Sequence, residues 1–183
     1  MVVAVGQIMH GAARAMLNPS DEAVAEMRAA LAAYRATGAR FQSTSHLILL
    51  AQALTACGRH DEGLSALREA EVLVDETGER YLEAEIHRLQ GNLLLARGGS
   101  DRAVEASYSK ALEVSRAQEA RPLELRAAAD LARLWAGRGN RARAADLLAP
   151  ICSWFTEGFD TADLKEARAL LEELSQGAVT ISA

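Results

Sequence analysis

Residues 81–119 read YLEAEIHRLQGNLLLARGGSDRAVEASYSKALEVSRAQE. Gly98-Gly99 divides the stretch into two helical patterns. In the second, Val104, Tyr108 and Ala111 recur at i, i+4 and i+7, which puts them on one face of a helix. In the first, the small residue Gly91 precedes Leu94 by three positions. A pair of helices joined by a glycine turn cannot bury its apolar faces alone, so similar pairs are expected beside it.

They are found on both sides. Residues 41–78 and 122–158 carry the same pattern, each beginning at an aromatic residue or a proline. An inter-helix glycine stands at Gly58, Gly99 and Gly139; five residues later come Gly63, Val104 and Ala144, then Leu67, Tyr108 and Leu148, then Ala70, Ala111 and Ile151. Each column steps by 41 and then 40 residues. In the first helix of each unit the small residue is Ala51, Gly91 or Ala132, with Leu54, Leu94 and Trp135 three residues on, and the steps there are 40 and 41. The extra glycine in Gly98-Gly99 absorbs the difference.

These columns resemble the tetratricopeptide (TPR) signature. In that signature a small residue late in the first helix lets the second approach, a glycine turns the chain, and small and bulky residues of the second helix fill the gap. The resemblance implies an all-α protein: a TPR-like α-α superhelix of antiparallel helix pairs, about nine helices with a C-terminal capping helix. The period of 40 to 41 residues exceeds the usual TPR period of about 34, so longer helices are expected. Ala51, Gly91, Ala132, Gly58, Gly99 and Gly139 are the expected repeat-packing residues.

Stepping back 40 residues from Gly63, Leu67 and Ala70 lands on Ala23, Met27 and Ala30, so a degenerate unit over 2–38 precedes the three full ones. Its first helix is expected over 2–17, and Asn18-Pro19 reads as an N-cap followed by proline at the first helical position. Thr37-Gly38 and Thr77-Gly78 mark helix ends at which glycine takes the left-handed conformation, whereas the third end has Glu119-Ala120. Pro150 is expected to bend the helix that contains it. Residues 161–175 have the polar profile of a solvating cap, and 176–183 read as a loose tail, so 1–175 is expected to be one repeat domain. Val2, Val3, Val5, Ile8 and Met9 leave the opposite end apolar and uncapped. That end fits either further units before it or a second copy packed against it.

Composition narrows the function classes. Half of the 183 residues are apolar, aromatics make up 4%, and only three are prolines, which favours helix and excludes a wholly disordered chain. Twenty basic residues are interleaved with twenty-five acidic ones for a net charge of −5, which disfavours nucleic acid and anionic membranes as partners. Cys57 and Cys152 lie far apart inside apolar patterns and read as buried free thiols of a reducing compartment. No basic leader and no membrane-spanning stretch is apparent, so cytoplasmic residence is the expectation.

Three strings carry a narrower likeness: 33–39 (AYRATGA), 84–91 (AEIHRLQG) and 154–167 (WFTEGFDTADLKEA). They are similar to the C-terminal repeat region of bacterial proteins that join a class III adenylate/guanylate cyclase domain, an ATPase and a TPR array. That resemblance implies a signalling context, with the repeats as a docking or sensing module. It transfers no catalytic residue, because the only lysines, Lys110 and Lys165, do not follow glycine as a phosphate-binding loop requires.

Chemistry is sparse. His10, His46, His60 and His87 fall in four different helices or turns, and apart from Cys57 and His60 none has a second His or Cys three or four residues away, so no metal or other cofactor is expected. Cys57 and His60 straddle the Gly58 turn without a third orienting group, and no nucleophile or zinc-protease motif occurs, so no enzyme is expected. A binding surface is better supported, because the first helices of stacked pairs line a concave face. Counting from the small crossing residues, the inward positions are Ile48 and Gln52, Arg88 and Asn92, and Ala129 and Arg133, with Arg126 one turn earlier. Gln52, Arg88, Asn92, Arg126 and Arg133 are therefore the candidate peptide-binding residues, suited to an acidic or C-terminal protein segment. Arg88 and Asn92 resemble part of the carboxylate clamp of chaperone-binding TPR domains, although Ile48 and Gln52 do not repeat the pair. The same arginines could instead pair with Glu83, Glu85 and Glu124 on a solvated face. Two further functions fit: a small-ligand sensor with a pocket between first helices, and a homo-oligomer joined through the apolar N-terminal helix.

Overall fold

The computed structural model describes residues 2–176; the expected tail past Gln176 lies outside the described residues. Nine α-helices follow one another among them: α1 (Val2–Leu17), α2 (Asp21–Ala36), α3 (Ser43–Ala56), α4 (His60–Thr77), α5 (Glu83–Ala96), α6 (Asp101–Ala117), α7 (Arg121–Gly137), α8 (Arg141–Ser153) and α9 (Ala162–Gln176). A 3-10 turn at Arg80–Leu82 leads into α5. Helices pair as hairpins α1/α2, α3/α4, α5/α6 and α7/α8, and each second helix also packs on the first helix of the next hairpin. Helix α9 takes the place of a fifth first helix, against α7 and α8. This is the all-α, TPR-like superhelix that the columns predict.

Burial follows the columns. Ala23, Met27, Ala30, Leu67, Ala70, Val104, Tyr108, Ala111, Ala144, Leu148 and Ile151 are all buried between the two helix layers. Truncating one of the large ones to alanine would cost about 2–5 kcal/mol, from lost burial and the cavity left behind. At the hairpin crossings small and large residues compensate each other. A Cβ added to Gly91 would lie 2.6 Å from Cδ1 of Tyr108, so the tyrosine fits only because residue 91 has no side chain. The neighbouring units pair Ala51 with Leu67 and Ala132 with Leu148 in the same register. The degenerate first unit does likewise: a Cβ on Gly11 would meet Met27 Cγ at 2.5 Å, and Gly11 stands 40 residues before Ala51.

Three first helices end in one way. Gly58, Gly98 and Gly139 are left-handed, at φ 72°, 74° and 81°, and the next N–H returns to the carbonyl of Leu54, Leu94 or Trp135. Six-to-one closure of this kind uses carbonyls that the helix leaves free. The turning glycine of the middle unit is thus Gly98 and not Gly99. Gly99 has a different constraint, since a Cβ there would lie 2.8 Å from the Leu94 carbonyl oxygen. Gly38 and Gly78 are left-handed as expected, and Glu119 takes the same conformation at φ 53° without being glycine.

The expected start of α2 is corrected. The N-cap of α2 is Ser20, not Asn18: Ser20 Oγ accepts from the Ala23 N–H at 3.3 Å, while the Asn18 N–H closes the end of α1 on the Arg14 carbonyl. Pro19 therefore stands before the helix instead of in its first turn. Pro150 lies in the last turn of α8, which continues helical to Ser153, so its missing N–H falls near a helix end.

Ion pairs tie successive units together at corresponding places. Arg59, Arg97 and Arg138, at the inter-helix turns, reach back to Asp21, Asp61 and Asp101 in the first turn of the preceding second helix, at 2.9, 2.6 and 3.0 Å. The carboxylates also sit at helix N-termini, where the backbone dipole favours them. Glu62 is held down to about 2 by hydrogen bonds from Arg59 and then Arg28. The free side of α1 is different, with Val2, Val3, Met9, Met16 and Leu17 exposed. No helix among the described residues is long and apolar enough to cross a membrane.

Candidate functional site

Helices α3, α5, α7 and α9 bring their inward residues to one cleft of about 310 Å³. Gln52 of α3, Arg88 of α5 and Arg126 and Arg133 of α7 line it, which places four of the five candidate residues together. Asn92 lines an adjoining hollow of about 410 Å³ with Tyr108, and Asp130 and Arg133 border both. The first cleft also contains Glu85, Asp130, Asp163 and Glu166.

Those charges form one alternating chain. Asp163 accepts from Arg126 Nε at 2.7 Å, and Arg126 approaches Glu85 at 3.9 Å. Glu85 takes two hydrogen bonds from Arg88, at 2.9 Å from Nε and 2.8 Å from Nη2, and Arg88 Nη1 donates to Asp130 at 2.6 Å. Asp130 accepts from Arg133 at 2.9 Å, and Arg133 reaches Glu166 at 3.3 Å. The chain starts and finishes on α9.

Its middle and its ends are unlike. Side chains of Glu85, Arg88 and Asp130 are 6%, 14% and 15% exposed, so the middle has been taken out of water. Burial alone would weaken the charge of Arg88, yet Glu85 and Asp130 outweigh it and raise its pKa above the ordinary guanidinium range. Three of its five N–H groups are committed to carboxylates. By contrast, Arg126 and Arg133 are 41% and 44% exposed and have water on one side.

Asn92 is held by Tyr108, whose hydroxyl donates to its Oδ1 at 2.7 Å. Burial, and then the charge of Asp130, push the phenol above its usual pKa, so it stays a neutral donor. Of the three glutamates expected to pair with the groove arginines, Glu85 does so. Glu83 is instead taken by Arg80 at 2.9 Å, and the fully buried Glu124 by Arg116 at 2.7 Å. The helical rotation explains this, because residues two or five apart do not share a face, whereas Glu85 and Arg88 are three apart.

Asp130, Asp163 and Glu166 were not legible as members of the site. Asp130 carried one local signal, its position three residues before Arg133 on α7. No three His, Cys, Asp or Glu side chains among the described residues gather as metal ligands would. Both cysteines are free thiols, Cys152 buried and Cys57 partly so.

No protein-family model and no curated protein matches this chain. Two solved structures of a kinesin-light-chain-like protein of Podosopora anserina, composed of nearly identical TPR-like repeats, are similar to it. One, a single-substitution variant, superposes with a TM-score of 0.72 and the other with 0.70. Each is 16% identical and aligns over 94% of this chain and 85% of its own. At that identity the likeness speaks for architecture, and it agrees with the helix order and the burial columns: the chain has a TPR-like repeat fold.

Proposed function

We propose that this chain is a non-catalytic docking module whose concave cleft holds a segment of another protein, acidic or bearing a free C-terminal carboxylate. The observation that carries the reading is the pair Arg126 and Arg133, two half-exposed guanidinium groups seven residues apart on α7 at the edge of one cleft. Seven residues span about 10 Å along a helix, so two carboxylates of one segment can be met at once. Stacked helix pairs present such concave surfaces to extended partners. Arg88 supports the cleft from beneath, with Gln52 and Asn92 as amide neighbours.

The test is capture of partners from mixed protein segments by wild-type protein and by the R126A/R133A double variant. Loss of acidic segments from the catch is the expected result, and an unchanged catch would sink the reading. A signalling context beside a cyclase and an ATPase rests on the three quoted strings alone. The coding sequence upstream of Met1 tests it directly, since an ATPase reading frame running into this one is expected.

One observation favours a second reading, self-association through α1. Val2, Val3, Met9, Met16 and Leu17 are exposed on a helix whose other side packs on α2 and α3. Light scattering at high concentration would then report a dimer that Met9→Glu dissociates, and a wild-type monomer removes the reading.

A further inference from the structure

The cleft contains three guanidinium groups and four carboxylates, a surplus of one negative charge that an acidic segment would meet as repulsion. Two of those carboxylates come from α9, where Asp163 and Glu166 lie three residues apart and occupy Arg126 at 2.7 Å and Arg133 at 3.3 Å. Without them the balance becomes three positive groups against two negative, a surplus of one positive charge. We infer that α9 masks the groove with a built-in acidic pair, and that an acidic partner segment binds by displacing Asp163 and Glu166 from Arg126 and Arg133. The inference rests on the docking reading above and adds its regulation.

Energetics favour exchange at these two contacts and not at the others. Asp163 and Glu166 are 39% and 68% exposed, and pairs with that much water around them contribute little. Glu85 and Asp130 are desolvated around Arg88, so removing either leaves a buried charge short of one partner. An incoming carboxylate therefore replaces the α9 pair and leaves the middle of the chain standing. Helix α9 need not unfold, because Leu164, Ala167 and Leu174, on the stripe beside the acidic pair, are buried and anchor it in the core.

Fluorescence anisotropy of a labelled hexaglutamate peptide at low salt tests this. The proteins are wild type, D163N/E166Q, D163N/E166Q with R126Q/R133Q, and E172Q/E173Q, which makes the same charge change on α9 outside the cleft. Far-ultraviolet circular dichroism of each verifies its fold. D163N/E166Q is expected to bind about threefold to tenfold more tightly than wild type, the range that two exposed ion pairs provide. The added arginine substitutions should abolish that gain, and E172Q/E173Q should match wild type. Equal affinity of wild type and D163N/E166Q would overturn the masking and leave the docking reading intact. No binding by any of the four proteins would overturn the docking reading itself. A gain that survives loss of the arginines, or that E172Q/E173Q reproduces, would reduce the effect to net charge and overturn the masking. A hexalysine probe that binds wild type and is lost in D163N/E166Q would reverse the sign of the groove and overturn both.

Discussion

Arg88 and Arg126 stand on adjacent first helices of one groove and approach the same carboxylate, Glu85, yet they occupy different surroundings. Arg88 is 14% exposed and held by two acids, while Arg126 is 41% exposed and reaches Glu85 at only 3.9 Å. A guanidinium at the floor of the groove is part of the structure, and one at the rim is available for exchange. Charge type alone does not separate these roles; desolvation does, because it sets the cost of removing a partner.

The floor can be broken in one step. Arg88→Ala leaves the buried Glu85 with only Arg126 at 3.9 Å and the buried Asp130 with only the half-exposed Arg133, and a loss of about 3–5 kcal/mol is expected from urea unfolding. Arg126→Ala, with its pair in water, should lose less than about 1 kcal/mol. Equal losses would show that the floor and the rim do not differ as the geometry says.

A second break lies where Tyr108 connects the floor to its hairpin. Gly91→Ala improves helix propensity by about 1 kcal/mol but drives a methyl group into the tyrosine ring, so the overlap should win with a net loss of about 1–3 kcal/mol. Adding Tyr108→Leu reproduces the alanine–leucine pairing of the neighbouring units and should restore most of that loss, apart from the hydrogen bond to Asn92. Failure of the double variant to regain stability would mean that the columns are not interchangeable.

How far the sequence reveals this arrangement depends on which interactions repeat. Columns of small and large residues are legible because each hairpin must solve the same packing problem at the same step. Gly11 obeys that rule but is harder to read, since α1 has almost no charge pattern to set its register. Pairs between units are harder to read. Arg88 meets Asp130 and Arg126 meets Asp163 across 42 and 37 residues, offsets that depend on how each hairpin rotates against the next. Glu83 and Glu124, five and two residues from a groove arginine, turn to Arg80 and Arg116 because the helical rotation points them away. Helix α9, the polar cap of the stack, also continues the row of first helices and supplies two acids to the groove.

The smallest effect concerns a buried polar group that has no partner, the opposite of Arg88. His46 on α3 is 2% exposed, its Nδ1 lacks a hydrogen bond, and its ring meets Tyr34 edge to face with centroids 4.8 Å apart. Burial lowers its pKa below the usual imidazole value. Unfolded chains take up this proton near pH 6.5 and the folded protein only at lower pH, so in between the unfolded state binds more protons. Stability from this group is complete above about pH 6.5 and declines as pH falls towards the folded pKa. His46→Leu removes that proton while keeping an apolar side chain in the core. Urea midpoints at pH 7.5 and 5.5 should therefore fall further for wild type than for the variant, because every other titrating group is common to both and cancels in the difference. Parallel declines would mean that His46 is as easily protonated in the fold as out of it, and that burial without a partner costs nothing at this position.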